Sequence, residues 1–338
     1  AAIRALHAKA RQPRAEIAVS GGVDSAVLVG LLALAVGPDN VTAIHLAINS
    51  NPDALARSRE VCSAFGVKLV EFDGTAIFQA TVDSIVAAME KAGHSKTEIA
   101  ARIENDPTIL GSIRSTSRAP WGRAANRLSG GGIRHGTGNE DEDRILRFYQ
   151  KGGDGEVDSN PIANLSKGEV FQLARALGVP RSILTARPSP DLWGVGDAHN
   201  DEREIAGQLG FVSDDLTKTV MPPPPFYSYV DPDTGRYKNV GLIERLSRFC
   251  DSYDKVLFGD HADTAESLID RVASGDLRPE IQRVFRGISG DVVRTLLTNA
   301  RRVEAATRHK MNPNCPALGS RDDLIAKGIV TNDLPVGA

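Results

Sequence analysis

Short apolar runs alternate with longer helical runs in the N-terminal part of the chain, and this alternation constrains the fold more than any other sequence feature. Strands are predicted at residues 17–19, 41–48 and 67–72, and helices at 26–36, 53–65 and 76–92. Such repetition is typical of right-handed βαβ units, in which helices cover both faces of a parallel sheet. Ligands of these sheets bind at the carboxyl ends of the strands. We therefore predict an α/β fold with a doubly wound parallel sheet and a ligand near residues 20–25.

Composition narrows the possible functions. Of the 338 residues, 41% are hydrophobic and 25% are charged, and the net charge of −3 provides no basic field for nucleic acid or an anionic membrane. The longest apolar runs fall far short of the ~20 residues that a membrane-spanning helix needs. Three widely spaced cysteines suit a reducing compartment better than a disulfide framework or a zinc site. We expect a cytoplasmic protein that binds a small molecule, with no nucleic acid or membrane partner.

The pattern is less regular after residue 92. Pro107, Pro120 and a triple glycine at 130–132 interrupt residues 93–134, whereas residues 170–177 regain helical spacing. Four prolines at 222–225, followed by Asp-Pro-Asp-Thr-Gly, predict an extended connector and a turn, although a partner could also bind such a segment.

Short amphipathic helices are predicted beyond the prolines, at residues 242–251, 264–273, 279–285 and 291–307. We therefore expect three units: a nucleotide-binding domain over residues 1–220, a helical insertion or subdomain over 221–300, and a C-terminal segment over 301–338 that returns to the active site.

A glycine loop lies between the first predicted strand and helix, with the sequence Ser20-Gly21-Gly22-Val23-Asp24-Ser25. Two glycines allow a tight turn close to a ligand, and the N–H groups and dipole of the following helix favour a phosphate. Asp24 suits an anion site only if it holds a divalent cation that bridges phosphate oxygens. A simple turn with an N-capping residue is the alternative interpretation, and the loop lacks the Gly-Lys-[Ser/Thr] of a Walker A motif.

Further short motifs follow in order along the chain. They are Gly136-Thr137-Gly138-Asn139 with the acidic run 140–143, the glycine-rich stretch 149–158, Pro-Ile-Ala-Asn-Leu-Ser-Lys at 161–167, Pro-Ser-Pro-Asp-Leu-Trp at 188–193, and Arg308-His309-Lys310. Singly, each has a structural explanation: a solvated acidic face, a loop or a turn.

Together these motifs identify a resemblance. The glycine loop resembles the pyrophosphate-binding loop of the ATP pyrophosphatase (PP-loop) family, and the ordered set over residues 15–215 and 305–318 closely resembles the NAD synthetases within it. The resemblance implies a Rossmann-like adenine nucleotide α-hydrolase fold and a homodimer. It also implies an ammonia-dependent, AMP-forming ligase that adenylates and amidates deamido-NAD, with ATP as co-substrate and Mg²⁺ as cofactor.

Residue roles can be transferred from the resemblance. Catalytic roles fall to Asp24, Glu142 and Lys167, with the two acids as metal ligands and Asp143 as a rival to Glu142. ATP would contact Ser20, Gly21, Gly22, Val23, Asp24, Ser25, Arg118, Thr137, Lys167 and Ser189. Deamido-NAD would contact Thr116, Arg123, Lys151, Asp158, His309 and Lys310.

The sequence departs from the family pattern on the helix before the Gly-Thr-Gly-Asn stretch. Thr116 replaces a family arginine, Arg123 replaces a tyrosine, and Pro120 is expected to disturb the helix. Arg114 and Arg123 could compensate as anion binders. Two alternatives therefore stay open: an amide ligase for a different carboxylate, and a non-catalytic nucleotide sensor. We expect no nitrilase domain, because it would add about another domain of residues, and we therefore expect ammonia to be free or to come from a separate glutaminase.

Overall fold

A four-stranded parallel sheet lies at the centre of the N-terminal part, in the order β3-β2-β1-β4. The structure is a computed structural model that describes residues 1–106, 108–186, 201–211, 225–257, 262–276, 279–310 and 320–331. The strands are β1 (Ala15–Ala18), β2 (Val41–Ala47), β3 (Lys68–Asp73) and β4 (Ile133–His135). In register, Ala15 of β1 pairs with Val41 on one side and with Ile133 on the other. The predicted doubly wound α/β class is confirmed.

Of the helices that surround this sheet, those at residues 23–36, 52–64, 75–91 and 167–177 match helices predicted from the sequence. The surrounding helices are α1 (Ala2–Ala10), α2 (Val23–Val36), α3 (Pro52–Ala64), α4 (Thr75–Lys91), α5 (Lys96–Asn105), α6 (Thr108–Leu128), α7 (Lys167–Leu177) and α8 (Arg181–Leu184). The almost wholly apolar α2 is buried along most of its length because it packs between the sheet and α7. A capping box formed by Ser166 and Glu169 begins α7, which fixes the first residue of that helix as Lys167.

The irregular pattern predicted for residues 93–134 is wrong, because α5 and α6 fill most of this stretch. Helix α6 continues through Pro120. The proline is exposed, so the backbone carbonyl that loses its partner lies near solvent. On the buried side, Ala119 packs in the interior, and its carbonyl accepts a hydrogen bond from Nη1 of Arg134 at 3.0 Å. Tertiary contacts therefore stabilise a helix that local sequence disfavours.

The C-terminal part is helical, as predicted. It contains α9 (Asp201–Gln208), the small antiparallel pair β5 (Tyr229–Val230) and β6 (Tyr237–Asn239), α10 (Leu242–Leu257), α11 (Ala262–Ala273), α12 (Pro279–Val284), α13 (Gly290–Thr307) and α14 (Arg321–Ala326). The predicted turn at residues 231–235 joins β5 to β6. Of the four-proline run, only Pro225 lies within the described residues.

Two hydrophobic cores meet in the middle of the molecule. The first, which we call the sheet core, lies around α2 and the parallel strands. The second, the helical core, joins α10, α11 and α13 with Leu146 and with Phe211 after α9. Residues on both sides of position 220 therefore share the helical core, and the predicted division into three units stays a prediction. No helix in the described ranges is long and apolar enough to cross a membrane.

Candidate active site

The glycine loop lies at the carboxyl end of β1, as predicted, and leads directly into α2. Gly21 has a φ of +79°, and a Cβ there would overlap the carbonyl oxygen of Ala54. Gly22 is the N-cap of α2 and has no side chain to bond the first N–H groups of the helix. The Ser25 hydroxyl lies 3.2 Å from that of Ser20 and donates to the carbonyl of Gly22 at 3.0 Å. Hydrogen bonds within the loop thus fix its shape around the N-terminus of α2. The N–H groups at this helix end have no partners within the helix and favour binding of an anion.

Three residues predicted to be catalytic meet beside this loop. Nζ of Lys167 donates to Oδ2 of Asp24 at 2.7 Å and to Oε1 of Glu142 at 2.8 Å. Asn139 donates to the other oxygen of Asp24 at 3.0 Å, a contact that sequence reasoning missed although it named the motif. The Lys167 side chain is only 2% exposed, against 17% for each carboxylate. The Lys167 side chain is therefore buried against the two carboxylates and does not lie on a helix surface.

The acidic run is buried, contrary to its interpretation as a solvated face. A π-helical turn, Asp141–Leu146, carries it into the gap between the two cores. Its charges belong to what we call the ionic cluster, which contains Glu140, Asp141, Arg144, Glu169, Glu244, Arg248, Asp251 and Arg321. Arg248 and Arg321, which pair with Glu140, come from α10 and α14, more than a hundred residues further along the chain. Local sequence therefore gave no signal of this burial.

The ionic cluster contacts the elements that carry the residues predicted to be catalytic. Arg248 contacts Glu140 at 3.1 Å and Glu169, in the capping box of α7, at 3.2 Å. Asp141 accepts a hydrogen bond from the backbone N–H of Lys167 at 3.0 Å. Burial raises the pKa of Glu140 and raises that of Asp141 well above its usual range. These contacts fix the start of α7 relative to the turn that carries Glu142.

Asp143, the rival to Glu142 as a metal ligand, is in a different environment. It is enclosed beside Gly138 and accepts a hydrogen bond from Asn160 at 2.8 Å. Burial, and then the nearby carboxylate of Glu142, raise the pKa of Asp143 well above its usual range. Glu142 shares the Lys167 ammonium with Asp24, whereas Asp143 bonds Asn160 instead. The choice of Glu142 over Asp143 as a metal ligand stays a prediction.

A cavity of about 1420 Å³ opens over these residues. Residues predicted to contact ATP line it at the strand ends, namely Ser20, Asp24, Arg118 and Thr137. Arg118 is anchored there by a 3.1 Å hydrogen bond from Nε to the carbonyl of Leu46. The far wall comes from the helical core, through α9 and the end of α13. The cavity exceeds the ~1000 Å³ upper range of common small-molecule sites and suits large substrates.

The residues predicted to contact deamido-NAD are only partly brought together. Lys310 lines the cavity, and its Nζ donates to the carbonyls of Arg147 at 3.0 Å and Tyr149 at 2.8 Å. Burial lowers the pKa of Lys310. Lys151 is exposed outside the cavity lining, and Ser189 and the side chain of His309 lie outside the described residues.

Three further residues predicted to contact deamido-NAD bond to the protein itself and lie outside the cavity lining. The Thr116 hydroxyl donates to the carbonyl of Ser112 in its own helix at 2.9 Å. Arg123 forms an exposed ion pair with Glu156 at 2.7 Å. The carboxylate of Asp158 accepts a hydrogen bond from the backbone N–H of Arg134 at 2.8 Å. All three lie outside the cavity lining, because helix α6 directs Thr116 and Arg123 away from it.

Asp24 and Glu142 suit a magnesium ion that substrate phosphates also hold. Mg²⁺ is commonly bound through one or two carboxylates plus phosphate oxygens rather than by an all-protein cage. Both carboxylates bond the same ammonium group, so they are close enough to share an ion. In the described part of the chain, no group of three or more His, Cys, Asp or Glu side chains is placed to hold a metal by itself. The residues therefore fit Mg²⁺ bound together with a nucleotide.

The parallel sheet and the glycine loop at its carboxyl edge define a Rossmann-like α/β protein of the adenine nucleotide α-hydrolase type. A sequence profile of the NAD synthase family matches residues 4–208, and the chain belongs to that family.

Curated relatives support this assignment. The NH(3)-dependent NAD(+) synthetase of Carboxydothermus hydrogenoformans is 33% identical over 214 residues, which cover 62% of this chain and 79% of the relative. The protein of that name from Methanococcoides burtonii is 30% identical over 209 residues, with 62% and 71% covered.

Two solved structures share the fold. NMN synthetase from Francisella tularensis aligns with a TM-score of 0.51 at 24% identity, covering 60% of this chain and 76% of its own. A glutamine-dependent NAD(+) synthetase from Cytophaga hutchinsonii aligns with a TM-score of 0.59 at 12% identity, covering 93% of this chain and 49% of its own.

Proposed function

We propose that this chain is an ammonia-dependent NAD synthetase. It would convert ATP, deamido-NAD and ammonia into NAD, AMP and pyrophosphate. The observation that carries the proposal is the meeting of Lys167 with Asp24 and Glu142 beside an open helix N-terminus. It supports the proposal because a triphosphate bound there would meet a cation and two carboxylates that could hold Mg²⁺. The NAD synthase family, to which the chain belongs, uses ATP.

The residues of the chain would act mainly by positioning and charge. The N–H groups at the start of α2 and the hydroxyls of Ser20 and Ser25 would bind the phosphates, and Lys167 would stabilise charge on the departing pyrophosphate. Bound Mg²⁺, held by Asp24 and Glu142, would supply further charge neutralisation. Arg118 and Thr137 would hold the nucleoside part of ATP.

The chemistry needs no nucleophilic side chain. The substrate carboxylate attacks the α-phosphorus of ATP, the bond to the β-phosphate breaks, and pyrophosphate leaves. Ammonia then attacks the acyl-adenylate carbon, the carbon–oxygen bond breaks, AMP leaves, and one proton passes to solvent. Closing the cavity against water would protect the acyl-adenylate from hydrolysis.

The test is a product balance with purified protein. With ATP, Mg²⁺, deamido-NAD and ammonium chloride, we expect NAD, AMP and pyrophosphate in equal amounts. Glutamine in place of ammonium should support no reaction, unless a separate glutaminase is added. Release of ADP and orthophosphate would contradict the proposal. ATP binding without pyrophosphate release, with any acceptor, would instead favour the nucleotide sensor.

A second candidate is an amide ligase for a different carboxylate. The orientation of Thr116 and Arg123 away from the cavity favours it, because two predicted contacts to deamido-NAD are then lost. Deamido-NAD should be compared with nicotinic acid mononucleotide and simple carboxylic acids at equal concentration. A higher kcat/KM for one of these than for deamido-NAD would select the second candidate.

We further propose that the chain forms a homodimer in the cytoplasm through its β3–α4 side. β3 lies at an edge of the four-stranded sheet, and Val70 is exposed there. Helix α4, the next element along the chain, exposes Ile77 and Ile85, and of its side chains only Phe78 is fully buried. An apolar face on an unpaired edge is typical of an interface between subunits. Light scattering should give twice the mass of 36.1 kDa, and the double variant Ile77→Asp/Ile85→Asp should give the monomer mass.

A further inference from the structure

Tyr227 reaches the catalytic cluster from the C-terminal part of the chain. It lies just before β5, beyond the residues 4–208 that match the family, and its side chain is fully buried. Its backbone is fixed in the helical core, because its carbonyl accepts a hydrogen bond from Asn239 at 3.3 Å. Gly241 lies so close that a Cβ there would overlap the backbone at Phe226 and Tyr227. The tyrosine is therefore held by packing that the sheet core does not provide.

The Tyr227 side chain touches two catalytic residues. Its hydroxyl donates to Oε1 of Glu142 at 3.2 Å, the same oxygen that accepts from Lys167 at 2.8 Å. Its ring lies beneath Nζ of Lys167, 5.2 Å from the ammonium to the ring centroid, a cation–π distance. Oε2 of Glu142 accepts no hydrogen bond from the described residues.

We propose that Tyr227 is a positioning residue that orients Glu142 for Mg²⁺. This inference rests on the proposed function, since it concerns the same metal ligands. Two donors on Oε1 fix the rotation of the carboxylate and leave Oε2 as the oxygen available to the ion. The ring also holds the ammonium group of Lys167 between Asp24 and Glu142. The ammonium therefore keeps its position when one of the two carboxylates moves. Partners of this kind, behind the metal ligands, change metal affinity or activity by about 10–100-fold when they are removed.

The first experiment compares Tyr227→Phe with Tyr253→Phe. The first change removes only the hydroxyl at the site, whereas Tyr253 packs against Phe249 in the same helical core, away from Glu142. The measurement is a Mn²⁺ titration by electron paramagnetic resonance with a non-hydrolysable ATP analogue whose α–β bridge is methylene. We expect Mn²⁺ to bind about 10-fold more weakly to Tyr227→Phe, and unchanged affinity for Tyr253→Phe. Equal Mn²⁺ affinity in wild type and Tyr227→Phe would overturn the inference.

A double-mutant cycle separates orientation of Glu142 from general stability. In the Glu142→Gln background, Tyr227→Phe should change Mn²⁺ affinity less than twofold, because the carboxylate that it orients is gone. Independent, additive effects of the two substitutions would overturn the inference.

Failure of the role proposed for Tyr227 can be distinguished from failure of the proposed function. If the wild type makes no NAD from deamido-NAD but Tyr227→Phe still weakens Mn²⁺ binding, the acceptor assignment fails and the role of Tyr227 stands. If the wild type makes NAD and Tyr227→Phe requires no more Mg²⁺ than the wild type, the function stands and the role of Tyr227 fails.

Discussion

We expect His135 to make the free energy of unfolding depend strongly on pH in the acid range. It ends β4, immediately before the Gly-Thr-Gly-Asn stretch, and its Nε2 lies 3.0 Å from Nε2 of His7. Nδ1 of His7 lies 2.6 Å from the carbonyl of Gln12, so His7 carries its proton there. His7 therefore accepts from His135 Nε2–H, and the Ser159 hydroxyl donates to Nδ1 of His135 at 2.6 Å. When both imidazole rings are neutral, both nitrogens of His135 and both nitrogens of His7 therefore have hydrogen-bond partners.

The size of the effect follows from the pKa of His135. Burial, and then the nearby His7, lower it from 6.5 to about 3. Between these values the unfolded chain binds a proton that the folded chain does not, so the stability that this group contributes is complete above pH 6.5 and is lost as the pH falls. At 1.36 kcal/mol for each pH unit, the loss from pH 7.5 to 5.0 is about 2 kcal/mol. It would approach about 5 kcal/mol near pH 3.

The assay is urea unfolding of wild type and His135→Gln at pH 7.5 and 5.0. We expect the variant to lose about 2 kcal/mol less than the wild type between these two pH values. Its stability at pH 7.5 should be lower by about 1–3 kcal/mol, because the buried hydrogen bonds are no longer all made. His94→Gln is the matched control, since His94 is exposed, and it should reproduce the wild-type pH dependence. Equal pH dependence in His135→Gln and wild type would refute the reasoning.

Four further substitutions test the site and its support. Gly21→Ala should destabilise by about 1–3 kcal/mol in thermal melts and abolish ATP binding in calorimetry, because of its positive φ and the nearby backbone. Asp24→Asn should leave the melting curve intact but lower NAD formation by at least about 100-fold in a coupled assay; wild-type turnover would remove Asp24 from the site. Lys167→Ala should raise the KM for ATP by about 10-fold or more, and an unchanged KM would contradict phosphate binding. Arg248→Met should cost about 3–5 kcal/mol in urea unfolding, since it leaves buried carboxylates unpaired, whereas Arg59→Met, at an exposed ion pair, should cost less than about 1 kcal/mol.

Local pattern predicted β1, β2 and β3 and the helices α2, α3, α4 and α7, but it predicted neither β4 nor α5 and α6. The strand at 41–48 and the helix at 53–65 differ from β2 and α3 by only one residue at either end, because burial and helix-end signals both act within a few residues. Pro120 was misleading because the stability of α6 depends on distant residues. The free energy that the proline costs the helix is offset by packing of α6 against Arg134 and the sheet, and a short window of sequence does not contain these contacts.

The candidate site was predictable where its residues lie in short motifs. Asp24 and Lys167 each stand in such a motif, and the structure brings them together. Tyr227 follows a proline run without any chemical pattern, and Arg248 lies on an ordinary amphipathic helix, so only the folded chain reveals their contacts. The Thr116 hydroxyl bonds the carbonyl of Ser112 in its own helix, an orientation that correspondence of position does not reveal.

The two carboxylates proposed as metal ligands belong to elements that pack in different cores. Asp24 starts the helix at the heart of the sheet core, whereas Glu142 lies on the turn whose Leu146 is anchored in the helical core. A small slippage between the two cores would change the spacing of this pair before either core loses its own packing. Enzymatic activity should consequently disappear at a lower urea concentration than the one that melts the helices.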